Sequence, residues 1–185
     1  MKEKKNLIIL LVSLFLLIFI VKFSYGYLSG KYMPIEVENS TVDLKEAKDF
    51  TVYDKDGNKV KLSDFKNKKP VVVNIWASWC GPCKAEMQYF EEAIKKYGDR
   101  VEILMVNLTD GERETKEKAL KFLQENNLEM DILFDTDLNV VNTYNIMSIP
   151  RTIFINKSGE VSYDRQGLID EDMLKENIEK IKSFY

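Results

Sequence analysis

In residues 49–185, segments with the apolar pattern of a β-strand alternate with segments whose apolar residues recur at helical spacing. Two near-continuous apolar runs, residues 70–78 and 101–108, have the composition of strands buried on both faces of a sheet. Apolar residues at helical spacing follow each run, over 81–97 and 112–126. The pattern continues with a short strand at 130–135, a short helix at about 138–144, a hairpin of 151–156 and 160–167, and a closing helix at 169–184.

A further hairpin is predicted where this part of the chain begins. Residues 50–53 and 59–62 flank Asp56-Gly57, a common hairpin turn signal. Strand-helix-strand units between this hairpin and the terminal one imply an α/β fold with a central mixed β-sheet flanked by helices on both faces.

The first 28 residues have a different pattern. Three lysines precede an apolar run of 15 residues, Leu7 to Val21. A signal-peptide core has about 7 to 15 such residues and a spanning helix about 17 to 25. If Lys22 extends toward the headgroups, the span reaches Leu28. We expect an uncleaved N-terminal transmembrane helix over residues 1–28, and a signal peptide cleaved after Gly26 is the alternative.

Either interpretation puts the remaining chain outside the cytoplasm, because the lysine cluster stays inside. We expect a single-pass protein of the cell membrane with a cytoplasmic N-terminus, or a secreted protein if the segment is cleaved. Residues 29–48 are polar and predict a spacer, and residues 49–185 form the predicted domain.

Composition limits the chemistry. The chain of 185 residues has 27 basic and 30 acidic side chains and a net charge of -3, so it has no basic excess for nucleic-acid binding. It has no histidine, which excludes histidine metal ligation and Ser-His-Asp or Cys-His catalysis within it. Residues 1–28 hold four lysines and one glutamate, so 23 basic and 29 acidic residues remain and the exported part is acidic.

Both cysteines, Cys80 and Cys83, lie in the stretch IWASWCGPCKAEM. A structural zinc site needs four ligands, and covalent haem needs a histidine where this chain has Lys84. A cysteine peroxidase is expected to have threonine three residues before its nucleophile, where this chain has Ala77. A structural disulfide stays open, although a loop this short constrains the unfolded chain little. No metal and no cofactor is expected.

The pair lies where a buried strand ends and a helix begins, the edge of an α/β sheet where sites form. Helix N-H groups and the helix dipole there stabilise a thiolate, and Pro82 suits the first turn. Cys80, at the exposed mouth of the turn, is expected to attack, and Cys83 to resolve the mixed disulfide. Lys84 either favours the thiolate or is simply solvated.

WCGPCK after a buried strand, with SIPRTIFIN further along, resembles the thioredoxin superfamily. The resemblance implies a thioredoxin-like fold with a cis-proline at Ile149-Pro150 that faces the cysteines. A cis bond there leaves backbone groups of Ile149 open to an extended peptide substrate. The anchor, the run LSDFKNKKPVVVNIWASWCGPCKAEM and the helix at 112–126 are similar to the membrane-anchored TlpA/ResA-type branch. The resemblance covers about residues 45–185.

One position departs from cytosolic thioredoxin, whose buried acid six residues before the first cysteine is replaced here by Asn74. Glu86, one helical turn after Cys83, is the predicted substitute, as in TlpA/ResA-type proteins. Burial and the thiolate charge should raise the pKa of Glu86 and suit it to proton transfer. A surface glutamate is the alternative. Trp79 is expected to shield the disulfide and contact partners together with Ile149 and Pro150, while Trp76 is expected in the core.

The resemblance implies a thiol-disulfide oxidoreductase with a redox-active Cys80-Cys83 disulfide. Gly81-Pro82 is the dipeptide of reducing thioredoxins, with potentials near about -270 mV against about -120 mV for strong periplasmic oxidants. We therefore expect a reductase of disulfides in exported proteins such as apocytochrome c, supplied with electrons by a transmembrane thiol carrier. The alternatives are a disulfide-forming oxidant and a non-catalytic binding module at the membrane.

Overall fold

The computed structural model describes residues 15–20, residue 22 and residues 45–183. Residues 15–20 and Lys22 are helical. Among the described residues no helix is long and apolar enough to cross a membrane. The rest of the predicted anchor, the possible cleavage site and the spacer up to residue 44 lie outside the described residues, so the anchor and the domain boundaries stay predictions.

Residues 45–183 contain seven strands, four α-helices and one short 3-10 helix, Leu62–Asp64. The strands are β1 (Thr51–Tyr53), β2 (Lys59–Lys61), β3 (Val71–Trp76), β4 (Glu102–Asn107), β5 (Leu133–Phe134), β6 (Arg151–Ile155) and β7 (Val161–Gln166). The helices are α1 (Gly81–Tyr97), α2 (Lys116–Glu125), α3 (Asn139–Thr143) and α4 (Glu171–Ser183). Each strand and helix predicted in this part of the chain is present, with ends shifted by a few residues.

The strands form one mixed sheet in the order β2-β1-β5-β4-β3-β6-β7. β3 pairs in parallel with β4 and antiparallel with β6, and β4 pairs in parallel with β5. The predicted hairpins β1-β2 and β6-β7 are antiparallel. β3 therefore lies inside the sheet, with a neighbour on each side, and its carboxyl end is the start of the cysteine motif.

Strand β3 is buried along its whole length. Val72 and Trp76 belong to one core cluster, which includes apolar residues of α1, α2 and α4. Val71, Val73 and Ile75 belong to a second cluster, which includes Val140 of α3. Because successive strand side chains point to opposite faces, the sheet separates the two clusters and has helices on both faces, as predicted. Asn74 shares its face with Val72 and Trp76, toward α1.

Helix α2 begins at Lys116, and the predicted start at residue 112 is wrong. The Asp110 carboxylate accepts the backbone N-H groups of Glu112 and Glu114, each at 2.9 Å. This side chain closes a local turn that competes with helix formation. Thr115 then caps the helix, since its hydroxyl accepts the N-H of Lys118.

The last residues of the predicted spacer touch the domain. Glu46 forms an isolated antiparallel bridge with Glu160, and the Ala47 N-H donates to the Gly159 carbonyl at 2.9 Å. Residues 45–47 thus lie beside the β6-β7 hairpin turn, and the Lys48 carbonyl accepts the Tyr144 hydroxyl at 2.8 Å.

Candidate active site

The cysteine motif occupies the turn from β3 into α1. The Cys80 N-H donates to the Ala77 carbonyl at 3.1 Å, and Cys80 is the N-cap residue of α1. Its sulfur accepts the Cys83 N-H at 3.2 Å, and Pro82 lies in the first turn, where it has no hydrogen bond to lose. The Cys80 sulfur therefore lies at the positive end of a 17-residue helix, which stabilises a thiolate.

Cys80 and Cys83 form a disulfide. Cys80 is only 4% exposed and Cys83 is fully buried, so the expectation of an exposed mouth at Cys80 is wrong for the disulfide form. Trp79 and Ile149 pack against the cluster that contains both cysteines. Cys80 nevertheless retains the outer position of the two.

The Ile149-Pro150 peptide bond is cis, as predicted from the resemblance. The Ile149 carbonyl oxygen lies 3.7 Å from the Cys80 sulfur. Ile149 is half-buried and Pro150 is buried. The structure thus brings Ile149 and Pro150 beside a cysteine that lies 69 residues earlier in the chain.

Two exposed apolar side chains adjoin this cis bond. Met147, two residues before Ile149, is 90% exposed, and Leu168 is 43% exposed. The neighbouring Gly167 N-H donates to the Pro150 carbonyl at 2.8 Å, which holds the segment containing Leu168 beside the cis-proline. Side chains of this kind suit contact with a partner.

Glu86 is fully buried on α1, so the alternative of a surface glutamate is wrong. One carboxylate oxygen accepts the Asn74 side-chain N-H at 2.8 Å, and the other accepts the Ile169 backbone N-H at 3.0 Å. Burial raises the pKa of Glu86 to about 7, against the opposing effect of these two N-H donors. No lysine or arginine among the described residues forms an ion pair with it. The carboxyl group therefore changes its protonation near neutral pH, as a proton carrier requires.

Asn74 links Glu86 to the next strand. Its amide nitrogen donates to Glu86 and also to the Thr152 hydroxyl at 3.1 Å. Its amide oxygen is buried and has no hydrogen-bond partner in the part of the chain that the structure describes. Asn74 cannot take a proton itself, so in this network only Glu86 has a titratable group.

A second buried carboxylate, Glu114, was not predicted from the sequence. It accepts the Ser78 backbone N-H at 3.0 Å, the Ser78 hydroxyl at 2.7 Å and the Asn107 side-chain N-H at 2.9 Å. Ser78 lies in the turn that leads to Cys80, so Glu114 fixes that turn. Nothing in the sequence distinguished Glu114, because the segment around it, DGERETKEK, has the charge pattern of a solvated surface.

The two tryptophans have different environments. Trp76 is fully buried, 5.8 Å from the Phe122 ring centre, and belongs to the core as predicted. Trp79 is half-buried beside Cys80, and the guanidinium carbon of Arg113 lies 3.5 Å from its ring centre. Lys84 is exposed, and its ammonium lies 5.5 Å from the Phe122 ring centre.

Within the part of the chain that the structure describes, no group of three or more histidine, cysteine, aspartate or glutamate side chains could hold a metal ion. The site combines a cysteine pair, a buried carboxyl group whose pKa is raised to about 7, and exposed apolar side chains beside the cis-proline.

Comparison with known proteins gives consistent matches. The sequence profile of the AhpC/TSA family matches residues 44–164. The thiol-disulfide oxidoreductase ResA of Geobacillus thermodenitrificans is 32% identical over 184 residues, which cover 98% of this chain and 99% of that protein. ResA of Geobacillus kaustophilus is 36% identical over 137 residues, or 74% of this chain and 76% of that protein.

Solved structures share the same fold. A putative thiol:disulfide interchange protein DsbE from Chlorobium tepidum superposes with a TM-score of 0.66 at 28% identity, covering 76% of this chain and 97% of that chain. StoA from Bacillus subtilis superposes with a TM-score of 0.61 at 26% identity, covering 70% and 96%. The mixed sheet and flanking helices of this chain are thus a thioredoxin-like fold.

Proposed function

We propose, from the premise that this chain belongs to the AhpC/TSA family, that it is a thiol-disulfide oxidoreductase that reduces disulfides in exported proteins. Its enzyme class follows from its relatives, which are named thiol-disulfide oxidoreductases, and from the Cys80-Cys83 pair. The direction of exchange, the substrates and the location outside the cytoplasm are parts of the proposal.

One observation carries the proposal. The Cys80 sulfur lies at the N-terminus of α1, accepts the Cys83 N-H, and is 3.7 Å from the carbonyl of Ile149 before the cis-proline. This environment stabilises the thiolate form of a cysteine. The sulfur is also adjacent to backbone groups with which an extended peptide can form hydrogen bonds. A structural disulfide does not require either feature.

The proposed reaction begins with the reduced dithiol. The Cys80 thiolate attacks one sulfur of the substrate disulfide, which forms a mixed disulfide and releases the other substrate sulfur as a thiolate. Cys83 then loses its proton and attacks the Cys80 sulfur. The Cys80-Cys83 disulfide forms, the second substrate thiolate leaves, and two electrons have passed to the substrate.

Glu86 is the proposed proton acceptor for Cys83. Both side chains are fully buried and lie one helical turn apart on α1, so water has little access to the Cys83 thiol. With a pKa raised to about 7, Glu86 is partly ionised at neutral pH and takes a proton more readily than an ordinary carboxylate. Glu86→Gln should slow resolution of the mixed disulfide. An unchanged thiolate titration together with an unchanged exchange rate would rule the shuttle out.

The proposed substrate is an extended, disulfide-bearing segment of an exported protein, such as apocytochrome c. Ile149 would pair with its backbone, and Trp79, Met147 and Leu168 would contact its side chains. The Gly81-Pro82 dipeptide favours reduction, and a reductant outside the cytoplasm needs a transmembrane thiol carrier as electron donor. The lysines before the apolar run of residues 7–21 support a membrane anchor that exports the domain.

Insulin reduction tests the activity directly. Wild-type protein with dithiothreitol should accelerate precipitation of insulin chains, and Cys80→Ser should abolish the acceleration. Equal rates for the two proteins would favour a binding module without catalysis. A reduction potential near the value of about -120 mV typical of strong oxidants would instead make the protein a disulfide-forming enzyme.

Trapping identifies the partners. Cys83→Ser leaves Cys80 able to attack but removes the resolving thiol, so mixed disulfides should accumulate on Cys80 in cells. The double variant Cys80→Ser/Cys83→Ser is the matched control and should trap none.

A further inference from the structure

We propose that Arg113 is a specificity-determining residue that selects disulfide partners with an acidic side chain next to the attacked cysteine. This inference rests on the proposed function, because it concerns how the same dithiol meets its substrate. It starts from an exposed guanidinium that lies against the tryptophan preceding Cys80.

The position of Arg113 places a positive charge at the rim of the site. Its guanidinium carbon lies 3.5 Å from the Trp79 ring centre, which is stacking distance. Trp79 is the residue before Cys80 and packs against the cluster that contains both cysteines. A substrate segment that brings its disulfide to Cys80 therefore passes close to this guanidinium.

The backbone of Arg113 is held on both sides. The Glu114 carboxylate binds the Ser78 backbone N-H and hydroxyl, which joins the loop to the turn before Cys80. On the other side, the Asp110 carboxylate accepts the Glu114 N-H, and the Lys118 ammonium donates to the Arg113 carbonyl at 2.9 Å. These hydrogen bonds fix the backbone of Arg113, and the contact with the Trp79 ring positions the guanidinium itself, so less conformational entropy is lost when a partner binds.

Apart from its contact with the Trp79 ring, the guanidinium has no partner among the residues that the structure describes. Arg113 forms no ion pair, and its side chain makes no hydrogen bond, within residues 45–183. Of the nearby carboxylates, Asp110 and Glu114 are occupied by N-H and O-H donors of the loop and the turn, and Glu112 is not within ion-pair distance. Arg151, by comparison, is paired with Asp164 at 2.7 Å.

The chemistry of a stacked guanidinium indicates the kind of partner. Its flat face is covered by the indole, so its N-H donors are available at the edge, in the plane of the group. Two parallel N-H donors in one plane match the two oxygens of a carboxylate. After residue 28 the chain has 29 acidic and 23 basic residues, so its overall charge repels an acidic substrate segment. The positive charge of Arg113 at the rim offsets this repulsion locally and attracts an acidic side chain of the substrate.

Three peptides test the proposal. All three contain the same disulfide. They differ only in the two residues on either side of the cysteine that Cys80 attacks, which are both Glu in one peptide, both Gln in the second and both Lys in the third. Reduction of each is followed with wild type, Arg113→Gln, Arg113→Glu and the control Arg100→Glu. Arg100 follows the end of α1 that is farther from the cysteines, and a helix of 17 residues is about 25 Å long. The control Arg100→Glu therefore reverses a charge far from the site.

Wild type should reduce the Glu peptide about three- to tenfold faster in kcat/KM than the Lys peptide at low salt. Arg113→Gln should remove this preference, Arg113→Glu should reverse it, and Arg100→Glu should keep it. The preference should shrink at high ionic strength. A loss of stability alone would not reverse the order of the peptides.

Two results separate failure of the inference from failure of the proposed function. If wild type reduces all three peptides with equal kcat/KM, or if Arg113→Glu keeps the wild-type order, the role of Arg113 is overturned while the reductase activity stands. If wild type reduces none of them, the reductase function fails, and the inference fails with it.

Discussion

Glu86→Gln removes a buried negative charge and keeps the shape of the side chain. The glutamine can still accept the Ile169 N-H through its amide oxygen, so the link between α1 and the segment before α4 has a counterpart in the variant. The glutamine NH2 replaces the oxygen that accepts the Asn74 side-chain N-H, so the variant also loses that hydrogen bond, but this loss does not depend on pH. The difference that depends on pH is that the variant does not titrate. Its stability should therefore depend less on pH than that of the wild type.

The size of the effect follows from the pKa. Burial raises the pKa of Glu86 from 4.5 to about 7. One unit corresponds to about 1.4 kcal/mol, so the shift corresponds to about 3 kcal/mol. In the folded protein Glu86 keeps its proton to a higher pH than in the unfolded chain. The contribution of the protonated Glu86 to the free energy of unfolding is fully present below about pH 4.5 and is lost as the pH rises through about 7.

Urea unfolding of the oxidised protein measures this contribution. The free energy of unfolding is determined at several values between about pH 4.5 and pH 8, followed by circular dichroism. Wild type should lose about 3 kcal/mol relative to Glu86→Gln across this range. Other groups, such as Asp135, whose pKa is also raised by burial, titrate in both proteins and cancel in the difference.

Glu92→Gln is the matched control, because Glu92 is exposed on the same helix. Its difference from wild type should be small, because a substitution at an exposed position usually changes the free energy of unfolding by about 0.5 kcal/mol or less. A constant difference between wild type and Glu86→Gln over the whole range would refute the argument, since it would mean that Glu86 titrates alike in the folded and unfolded chains.

Three further substitutions test other parts of the structure. Asn74→Leu removes an N-H donor to the carboxylate, so the pKa of Glu86 should rise further. The pH above which the free energy of unfolding stops falling should then move above about 7, and an unchanged value would contradict the hydrogen bond. Asp135→Ala leaves three N-H groups at the start of α3 without their acceptor and should cost about 1–3 kcal/mol in urea unfolding, whereas no loss would mean that water replaces the carboxylate. Phe90→Ala opens a cavity in the core beneath α1 and should lower the free energy of unfolding by about 3–5 kcal/mol, against a much smaller change for the exposed Leu120→Ala.

The sequence by itself was enough to predict the local structure and to locate the cysteine pair between β3 and α1. Strands and helices follow from the period of apolar residues, and the positions of β3 and α1 came directly from it. Two cysteines in WCGPCK between them indicated the redox couple. The resemblance added Ile149-Pro150, whose cis bond and place beside Cys80 the structure contains.

Local features also misled in two places. The charged segment after β4 has helical spacing, but the Asp110 side chain holds its first residues in a turn and α2 begins later. Cys80 was expected to be exposed because it begins a helix, yet Ile149, from a distant part of the chain, contributes to its near-complete burial.

The tertiary structure alone decided the partners of the buried polar groups. Glu86 binds the N-H of Ile169, 83 residues later, and Glu114 binds Ser78, 36 residues earlier. Hydrophobic period is a property of neighbouring residues and can be seen in the sequence. The cost of burying a carboxylate depends on which donors the sheet register and helix packing bring to it, and those donors come from segments far apart in the chain. The sequence therefore determined where the cysteine pair lies and which strand and helix hold it, and the packing of distant segments determined the protonation of Glu86 and the place of Arg113.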